Sequence, residues 1–413
     1  MSRFLVYTAP AVGHVLPLVP GMLELQRRGH AVHVRTLPSL VGILQELGLD
    51  AAPVSPGVLG VTVTDFEATT DAERLAKGYV DLMERGRHDG PDLERAIAEV
   101  RPDALVVDVI SYGAQARAEA SGLPWALSMP SLAPFPGRGI PPYGLGMRPA
   151  RTPLGRVRDA VLWPLVERHF GKAMLPGCNA LRAEAGLAPL ASPLELYRAP
   201  SRVLVMTGPP LEYPRDAVPA NVCFVGFQPW DAPGSAPEYL AEPGDPWVLV
   251  TCSSDYQGDE ELARVAVEAL ADEPVRVLVT LGHAEGVPEL PTARNVRVEQ
   301  FVSHGHVLPR AAAVVCHGGM GIVAKSVAAG VPLVCVPFGR DQPEIARRVA
   351  ESGAGVVVKQ NQLRADRLRT AVRRARGLSS EADRAARVMA EHSGPGPLAT
   401  AVEELVPNGH PVG

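Results

Sequence analysis

The sequence of 413 residues is poor in cysteine and carries no excess of positive charge. Its cysteines, Cys178, Cys223, Cys252, Cys316 and Cys335, are odd in number and form no Cys-x-x-Cys pair. This argues against a disulfide framework and a zinc site, and it favours buried thiols in a reducing cytoplasm. The net charge of −5 gives no general reason to expect nucleic acid or an anionic membrane as a partner. An anionic ligand would therefore have to be held by local geometry.

No apolar segment of the sequence is long enough to span a bilayer. The first residues, MSRFLVYTAPAVGHVLPLVP, place a basic residue before an apolar run, as a signal peptide does. Pro10, His14 and Pro17 interrupt that run, so a β-strand followed by a turn explains it better. We therefore expect a cytoplasmic protein without stable membrane insertion.

Short apolar runs recur along the chain and are continuous rather than alternating. They include FLVYT from Phe4, ALVVD from Ala104, WVLVTC from Trp247 and AAVVCH from Ala312. Continuous runs of this length are typical of strands buried on both faces of a parallel sheet. Segments with helical spacing and charged outer faces lie between many of them. The pattern predicts an α/β fold.

One local pattern, a helix that ends at a glycine and leads directly into a strand, occurs four times. It is found in LQRRGHAVHV and AEASGLPWALS before residue 130, and in SVAAGVPLVCV and VAESGAGVVV after residue 325. Glycine at the end of a helix accepts the left-handed conformation that closes it. The two pairs predict two doubly wound halves, which also suits a chain longer than one hydrophobic core usually supports.

The domain boundaries follow from composition. The segment 207–246 is dense in proline and glycine and lacks helical periodicity, as a domain connection would. We therefore expect a first domain over 1–206, a second domain over 247–378, and a helical segment over 379–413 that packs back towards the first domain.

A glycine-rich loop, HGGMG, follows one predicted strand and opens a helix. It consists of His317, Gly318, Gly319, Met320 and Gly321. Helix N-termini present unpaired N–H groups and a partial positive charge, and missing side chains let a phosphate approach the backbone. The loop is neither a P-loop nor a Gly-x-Gly-x-x-Gly dinucleotide fingerprint. A diphosphate site is the better interpretation, and a turn needed only for tight packing is the alternative.

The region around this loop, from Glu299 to Val358, resembles the nucleotide-sugar signature of the inverting glycosyltransferases with two Rossmann-like domains (the GT-B fold), in the antibiotic and macrolide branch. The resemblance extends through APAVGHVLPLVPGMLELQRRGHAV near the start and DALVVDVISYGAQARAEASGLP in the middle. It implies two Rossmann-like domains facing across a cleft. It also implies transfer of a sugar from a nucleoside diphosphate to a hydrophobic natural-product aglycone.

The resemblance assigns the donor site position by position. Phe301 and Val302 match the segment that packs on the nucleobase, with Phe301 as the stacking ring. The glycine-rich loop, from His317 to Gly321, matches the diphosphate loop. Asp341 and Gln342 match the pair that binds hydroxyls of the donor sugar, and Ser253 and Ser254 match a Ser/Gly turn near the phosphates.

The sequence contains no Asp-x-Asp motif, so a metal-bridged diphosphate has no obvious ligands. His317 and the N–H groups of the loop would instead stabilise the charge that grows on the leaving diphosphate. We therefore expect catalysis without a metal ion or a cofactor.

Three positions depart from the pattern of the family. Ile322 stands where relatives often carry Ser or Thr, and Ile345 stands where they frequently carry Asn. Lys325 occupies the place of a Glu that grips both ribose hydroxyls in relatives that use UDP-sugars. Because a deoxyribose lacks the 2′-hydroxyl, losing that acceptor costs a user of dTDP-sugars little. This favours a dTDP-deoxysugar donor, with a UDP-sugar as the alternative donor and a solvated helix residue as the alternative for Lys325.

His14 follows the first predicted strand, and the resemblance implies that it deprotonates the acceptor hydroxyl. A neutral imidazole suits this task at cytoplasmic pH, and a helix N-terminus disfavours its protonated form. Asp108 ends the strand ALVVD and is expected to hydrogen-bond the other ring nitrogen, as the acid of a Ser-His-Asp triad does. The alternatives are a packed or capping histidine at His14 and a plain helix N-cap at Asp108.

The acceptor is expected in the first domain, between the loop 129–155 and residues 79–87. The loop SLAPFPGRGIPPYGLGM is apolar with few charges, as expected for a hydrophobic aglycone. A nucleotide-sugar epimerase of the same architecture and a catalytically silent relative that binds a nucleotide sugar are the alternatives. The spacing of the basic segment from Arg364 indicates the exposed face of a helix, so no nucleic-acid partner is expected. A homodimer is compatible with the sequence.

Overall fold

The computed structural model of the protein describes residues 1–216, 218–253, 258–282 and 290–406. These residues form two α/β domains, each built on one parallel sheet. The predicted fold class, with two doubly wound halves, is confirmed.

The first domain contains a sheet of seven parallel strands. They are β1 (Arg3–Tyr7), β2 (Ala31–Thr36), β3 (Asp50–Pro53), β4 (Ala104–Asp108), β5 (Trp125–Met129), β6 (Arg202–Val205) and β7 (Val222–Phe224). Their order across the sheet is β3-β2-β1-β4-β5-β6-β7. The central strands β4 and β5 are buried along their whole length, as their continuous apolar sequences predict.

The second domain contains a sheet of six parallel strands. They are β8 (Trp247–Thr251), β9 (Arg276–Thr280), β10 (Val296–Glu299), β11 (Ala311–Cys316), β12 (Leu333–Cys335) and β13 (Gly355–Val357). Their order is β10-β9-β8-β11-β12-β13. In both sheets the strand order reverses beside the first strand of the domain, which is where open α/β sheets bind ligands.

Helices connect the strands and cover both faces of each sheet. They are α1 (Val12–Val15), α2 (Val19–Arg27), α3 (Pro38–Glu46), α4 (Pro56–Leu59), α5 (Asp71–Val100), α6 (Tyr112–Ala120), α7 (Pro153–Glu184), α8 (Glu260–Leu270), α9 (His304–Val307), α10 (Met320–Ala328), α11 (Gln342–Ser352), α12 (Ala365–Arg376), α13 (Ser379–Glu391) and α14 (Pro395–Glu403). Within the described ranges, no helix is long and apolar enough to cross a membrane.

The four glycines predicted to close helices adopt the left-handed conformation. The φ angles are +89° at Gly29, +73° at Gly122, +67° at Gly330 and +81° at Gly353. Each chain segment turns there from a helix into the next strand, because glycine has no Cβ to oppose a positive φ.

The chain crosses between the domains twice. β7 lies inside the segment 207–246, so the predicted connection also supplies the edge strand of the first sheet. Near the other end of the chain, α14 packs into the core of the first domain, where a Cβ at Gly21 would lie 2.2 Å from Leu398. Arg28, which directly follows α2, donates to Glu403 on α14 at 2.6 Å. The two domains are therefore held together by both ends of the second one.

A buried ionic cluster joins helix α11 of the second domain to the connection. Arg348 on α11 is 1% exposed, donates to Glu344 at 3.0 Å and lies 3.5 Å from Glu212. It also donates to the carbonyl of Leu211 at 3.2 Å and stacks on the ring of Tyr213. Removing one member would leave the others charged, buried and unpaired, so a single substitution in this cluster strongly destabilises the fold.

Candidate active site

The predicted site residues follow the carboxyl ends of central strands in both sheets. In the first domain, His14 follows β1 and Asp108 ends β4. In the second domain, Ser253 follows β8, His317 follows β11 and Asp341 follows β12. Because parallel strands end at the same edge of a sheet, the fold collects each set at one edge.

His14 and Asp108 are in contact, as the sequence predicts. The Nδ1 atom of His14 lies 2.8 Å from Oδ2 of Asp108, and the carboxylate is completely buried. Its other oxygen, Oδ1, accepts the backbone N–H of Ile110 at 2.9 Å. A carboxylate can only accept, so it holds the proton of the neutral ring on Nδ1 and leaves the lone pair on Nε2. The imidazole is partly exposed, so a ligand can reach it.

A second buried carboxyl group, which the sequence analysis did not single out, lies on α5 near this pair. Asp89 is fully buried, and its Oδ1 accepts the N–H of Ala114 at 2.7 Å. Burial, reinforced by the charges of Asp92 and Asp108, raises the pKa of Asp89 to about 8. Asp89 is therefore protonated at neutral pH and adds no second negative charge beside Asp108.

The glycine-rich loop connects β11 to α10, and its backbone lies close to Gln342 and to the ring of His317. Gly318 has a φ of +95°, which favours glycine. A Cβ at Gly319 would lie 2.4 Å from Nε2 of His317, so the histidine ring fits only over a glycine. A Cβ at Gly321 would meet nothing within 4 Å, so the first turn of α10 faces open space. The N–H groups of that turn are available to an anion in that space.

Asp259, which precedes α8, contacts this loop and was not identified from the sequence. Its Oδ2 accepts the backbone N–H of Ser253 at 2.7 Å and lies 3.7 Å from Nδ1 of His317. Burial raises the pKa of the Asp259 carboxyl to about 6. Asp259 therefore links the turn after β8 to the histidine of the glycine-rich loop. Ser254, the other predicted residue of that turn, lies outside the described residues.

The predicted sugar-binding pair lies at the start of α11. Oδ2 of Asp341 accepts the hydroxyl of Ser131, from the first domain, at 2.5 Å. Tyr143, on the same loop of the first domain, lies near both, and burial raises the pKa of its hydroxyl. Gln342 is buried, and its side-chain oxygen accepts the backbone N–H of Phe338 at 2.8 Å. Asp341 is therefore placed at the domain interface, while Gln342 also holds the preceding loop in place.

The segment predicted to bind the nucleobase contains one exposed aromatic ring. Phe301 is 68% exposed, although large aromatic side chains are usually buried, whereas Val302 next to it is buried. An exposed ring beside a buried anchor is suited to stacking on a planar group.

The structure explains the three departures from the family pattern. Ile322 and Ile345 are buried in the core of the second domain, so both positions contribute packing. Lys325 is not a solvated residue, because its Nζ donates to Oδ1 of Asp231 at 2.7 Å. Asp231 belongs to the segment 207–246 and also accepts the backbone N–H of Gly305 on α9 at 3.2 Å. A carboxylate from a distant part of the chain thus lies beside the position where relatives carry Glu.

An open pocket lies between the domains and is lined by residues of both. Gly13, adjacent to His14, forms part of the first-domain wall, and Met320 and Gly321 form part of the opposite wall. Trp230, from the connection, also lines it. The residue next to the candidate base and two residues of the glycine-rich loop therefore line the same interdomain pocket.

Comparison with known proteins places the chain among enzymes of natural-product biosynthesis. Residues 264–407 match the family described as erythromycin biosynthesis protein CIII-like, C-terminal domain. The chain is 32% identical to 4'-demethylrebeccamycin synthase of Lentzea aerocolonigenes, over 90% of this chain and 91% of that protein. It is 26% identical to demethyllactenocin mycarosyltransferase of Streptomyces fradiae, over 89% of this chain and 78% of that protein.

Solved structures show the same fold. The crystal structure of the glycotransferase of kitacinnamycin covers 98% of this chain and 99% of its own, with a TM-score of 0.73 and 23% identity. The glycosyltransferase VinC in complex with dTDP covers 98% of both chains, with a TM-score of 0.70 and 23% identity. These likenesses extend over both domains and the cleft between them. The chain belongs to the family of antibiotic and macrolide (natural-product) glycosyltransferases of the GT-B fold.

Proposed function

We propose that the protein is an inverting, metal-independent glycosyltransferase that transfers a deoxysugar from a dTDP-sugar to a hydrophobic natural-product aglycone, with His14 as the general base. The observation that carries the proposal is the His14–Asp108 pair, 2.8 Å apart, beside Gly13, which lines the interdomain pocket that Met320 and Gly321 line from the other domain. This arrangement supports a base for the acceptor on one wall and an anion site for the donor on the other.

In this mechanism the acceptor hydroxyl gives its proton to Nε2 of His14. The acceptor oxygen forms a bond to the anomeric carbon, and the bond from that carbon to the diphosphate oxygen breaks with its electron pair. Asp108 stabilises the imidazolium that forms, because its buried carboxylate accepts from Nδ1. His317 and the N–H groups at the start of α10 stabilise the leaving diphosphate. Attack opposite the leaving group inverts the configuration.

The preference for dTDP is supported by the Lys325–Asp231 ion pair. Helix α10 carries no carboxylate, and both oxygens of the Asp231 carboxylate beside Lys325 already accept, Oδ1 from Lys325 Nζ at 2.7 Å and Oδ2 from the N–H of Gly305 at 3.2 Å, so neither is left over for the ribose hydroxyls. VinC, one of the structural neighbours, has been crystallised with dTDP. The five cysteines are free, which supports a reducing, cytoplasmic setting.

Calorimetric titration of the purified protein with dTDP and with UDP, both in excess EDTA, tests the donor part. We expect binding to persist in EDTA and dTDP to bind more tightly. A preference for UDP would contradict the donor assignment, and binding that disappears with EDTA would contradict metal independence. Incubation with a dTDP-sugar and a phenolic acceptor then separates the activities, because a transferase forms a glycoside, an epimerase changes only the sugar, and a silent relative does neither.

A further inference from the structure

Helix α7 carries a row of exposed hydrophobic side chains on its first half. Leu154, Val157, Val161 and Leu165 are 79%, 59%, 58% and 59% exposed. Their spacing of three and four residues places them on one face of the helix. Single exposed hydrophobic residues are ordinary on protein surfaces, but a contiguous row over three turns marks an interaction surface.

The opposite face of this half of α7 is already occupied. Trp163 donates its indole N–H to the carbonyl of Ile140 at 2.9 Å. The ring of Phe170 lies against Gly144, where a Cβ would be 3.5 Å away. The inner face therefore holds the loop 129–155, and the hydrophobic row is left pointing away from the domain.

The charge around the row is positive. Arg168 and Lys172 are exposed and continue the row towards the C-terminal end of α7. Asp159 is buried and paired with Arg158 at 2.6 Å. Glu167, the other carboxylate up to residue 172, lies about 120° around the helix from the centre of the row. Within a protein of net charge −5, this surface is locally apolar and basic.

We propose that this surface, formed by Leu154, Val157, Val161, Leu165, Arg168 and Lys172 and here called the α7 face, docks peripherally on an anionic lipid bilayer. The apolar side chains enter the boundary between headgroups and acyl chains, and the cations lie among the phosphates. This is surface attachment of one helix face, which needs no membrane-spanning segment.

Charge favours a bilayer over a second copy of the chain. A two-fold contact through the α7 face would bring Arg168 and Lys172 of the two copies together without acidic partners on that face. An acidic protein partner is the competing occupant, and the experiment below distinguishes it.

Docking through the α7 face would place the loop 129–155, which packs on the inner side of the same helix, about 10 Å from the membrane surface. If that loop borders the acceptor, a lipophilic aglycone could enter the cleft from the bilayer rather than from water. This consequence rests on the proposed function, whereas membrane docking itself does not.

The test is co-sedimentation of the full-length protein with vesicles of phosphatidylcholine alone and of phosphatidylcholine with phosphatidylglycerol in equal parts. We expect a partition coefficient at least about tenfold higher on the anionic vesicles, reduced by added salt. Val161→Asp should lower it about tenfold, and the pair Arg168→Glu and Lys172→Glu should abolish the preference for anionic lipid. Val388→Asp, on exposed α13, is the matched control and should leave partition unchanged.

Circular dichroism verifies that each variant is folded. Equal partition of the Val161→Asp variant and the unaltered protein would overturn the proposal. So would a dimeric mass in light scattering that Val161→Asp converts to a monomer, because the face would then bind a second copy. Absence of binding to either vesicle, with specific capture of an acidic protein through this face, would likewise replace the membrane by a protein partner.

Discussion

Replacing Asp108 by Asn tests the catalytic pair with almost no change in shape. In the folded protein, Oδ1 of Asp108 accepts the N–H of Ile110 at 2.9 Å, and Oδ2 faces Nδ1 of His14 at 2.8 Å. Because the N–H of Ile110 requires an acceptor, the amide oxygen of the new Asn stays on that side. Its NH₂ group then faces Nδ1 and can only donate. The ring must therefore carry its proton on Nε2, where the acceptor hydroxyl needs a lone pair.

The size of the effect follows from the role of the base. Positioned general-base catalysis contributes about 10²–10⁴ in rate, and each factor of ten corresponds to about 1.4 kcal/mol of activation free energy. Asp108 is completely buried, so water cannot take the place of its carboxylate. We therefore expect Asp108→Asn to lower kcat about 10²–10⁴-fold, which is about 3–5 kcal/mol. The KM for the donor should change little, because Asp108 belongs to the first domain, whereas the glycine-rich loop belongs to the second.

The assay is the initial rate of glycoside formation from dTDP-glucose and 4-methylumbelliferone, together with calorimetric affinity for dTDP. The first domain offers a matched control in Asp50, which contacts Nδ1 of His33 at 2.5 Å on the surface. Asp50→Asn should leave kcat within about twofold, since an exposed pair contributes little. An Asp108→Asn variant that is folded and retains the kcat of the unaltered protein would refute the assignment of His14 as base.

Three further predictions concern the donor site and the buried carboxyl group. Gly319→Ala places a methyl group 2.4 Å from Nε2 of His317, so the affinity for dTDP, measured by calorimetry, should fall about tenfold or more. The control Gly42→Ala, whose methyl group meets nothing within 4 Å, should leave this affinity unchanged. Equal dTDP affinities of Gly319→Ala and the unaltered protein would show that the loop is not part of the donor site. Asp341→Asn should weaken binding of a dTDP-sugar about tenfold while leaving dTDP within about twofold, because dTDP has no sugar hydroxyl to lose, and a parallel loss for both ligands would contradict a sugar-specific role. The folded-state pKa of Asp89, about 8, lies above the unfolded value of about 4, so the folded protein keeps a proton that the unfolded chain releases between these pH values, and stability falls as pH rises through this window. Asp89→Asn removes this titration. The free energy of unfolding in urea of the variant, relative to that of the unaltered protein, should therefore rise from pH 5 to pH 8 by an amount on the order of a few kcal/mol. Parallel pH profiles of the two proteins would show that Asp89 is charged.

The sequence was sufficient for the fold and for contacts between strand ends. Continuous apolar runs and the helix-closing glycines predicted two parallel sheets. The contact between His14 and Asp108 was predicted from the resemblance, which implies that His14 is the base, and from the position of Asp108 at the end of the strand ALVVD. In the structure the two residues meet because β1 and β4 are neighbours. Strand β7 was not predicted, because its three residues lie in a proline-rich segment and are too few to show a periodicity.

Other parts of the site could not be predicted, because their partners are far apart in the sequence. Asp231 reaches Lys325 from the segment between the domains, and nothing in either local pattern indicates the other. Ser131 meets Asp341 only because the two domains face each other. Asp259 looks like an ordinary helix N-cap until the structure places it beside the glycine-rich loop. Tertiary structure alone brings such groups together.

The central claim, transfer by direct displacement at the anomeric carbon with His14 as base, is tested most directly by the configuration of the product. Incubation of the protein with α-linked dTDP-glucose and a phenolic acceptor, followed by proton NMR of the glycoside, gives that configuration from the coupling between H1 and H2. We expect a β-glycoside, recognised by its large trans-diaxial coupling, and we expect no glycoside from the His14→Ala variant, which should still bind dTDP. An α-glycoside, or unchanged turnover in His14→Ala, would contradict it.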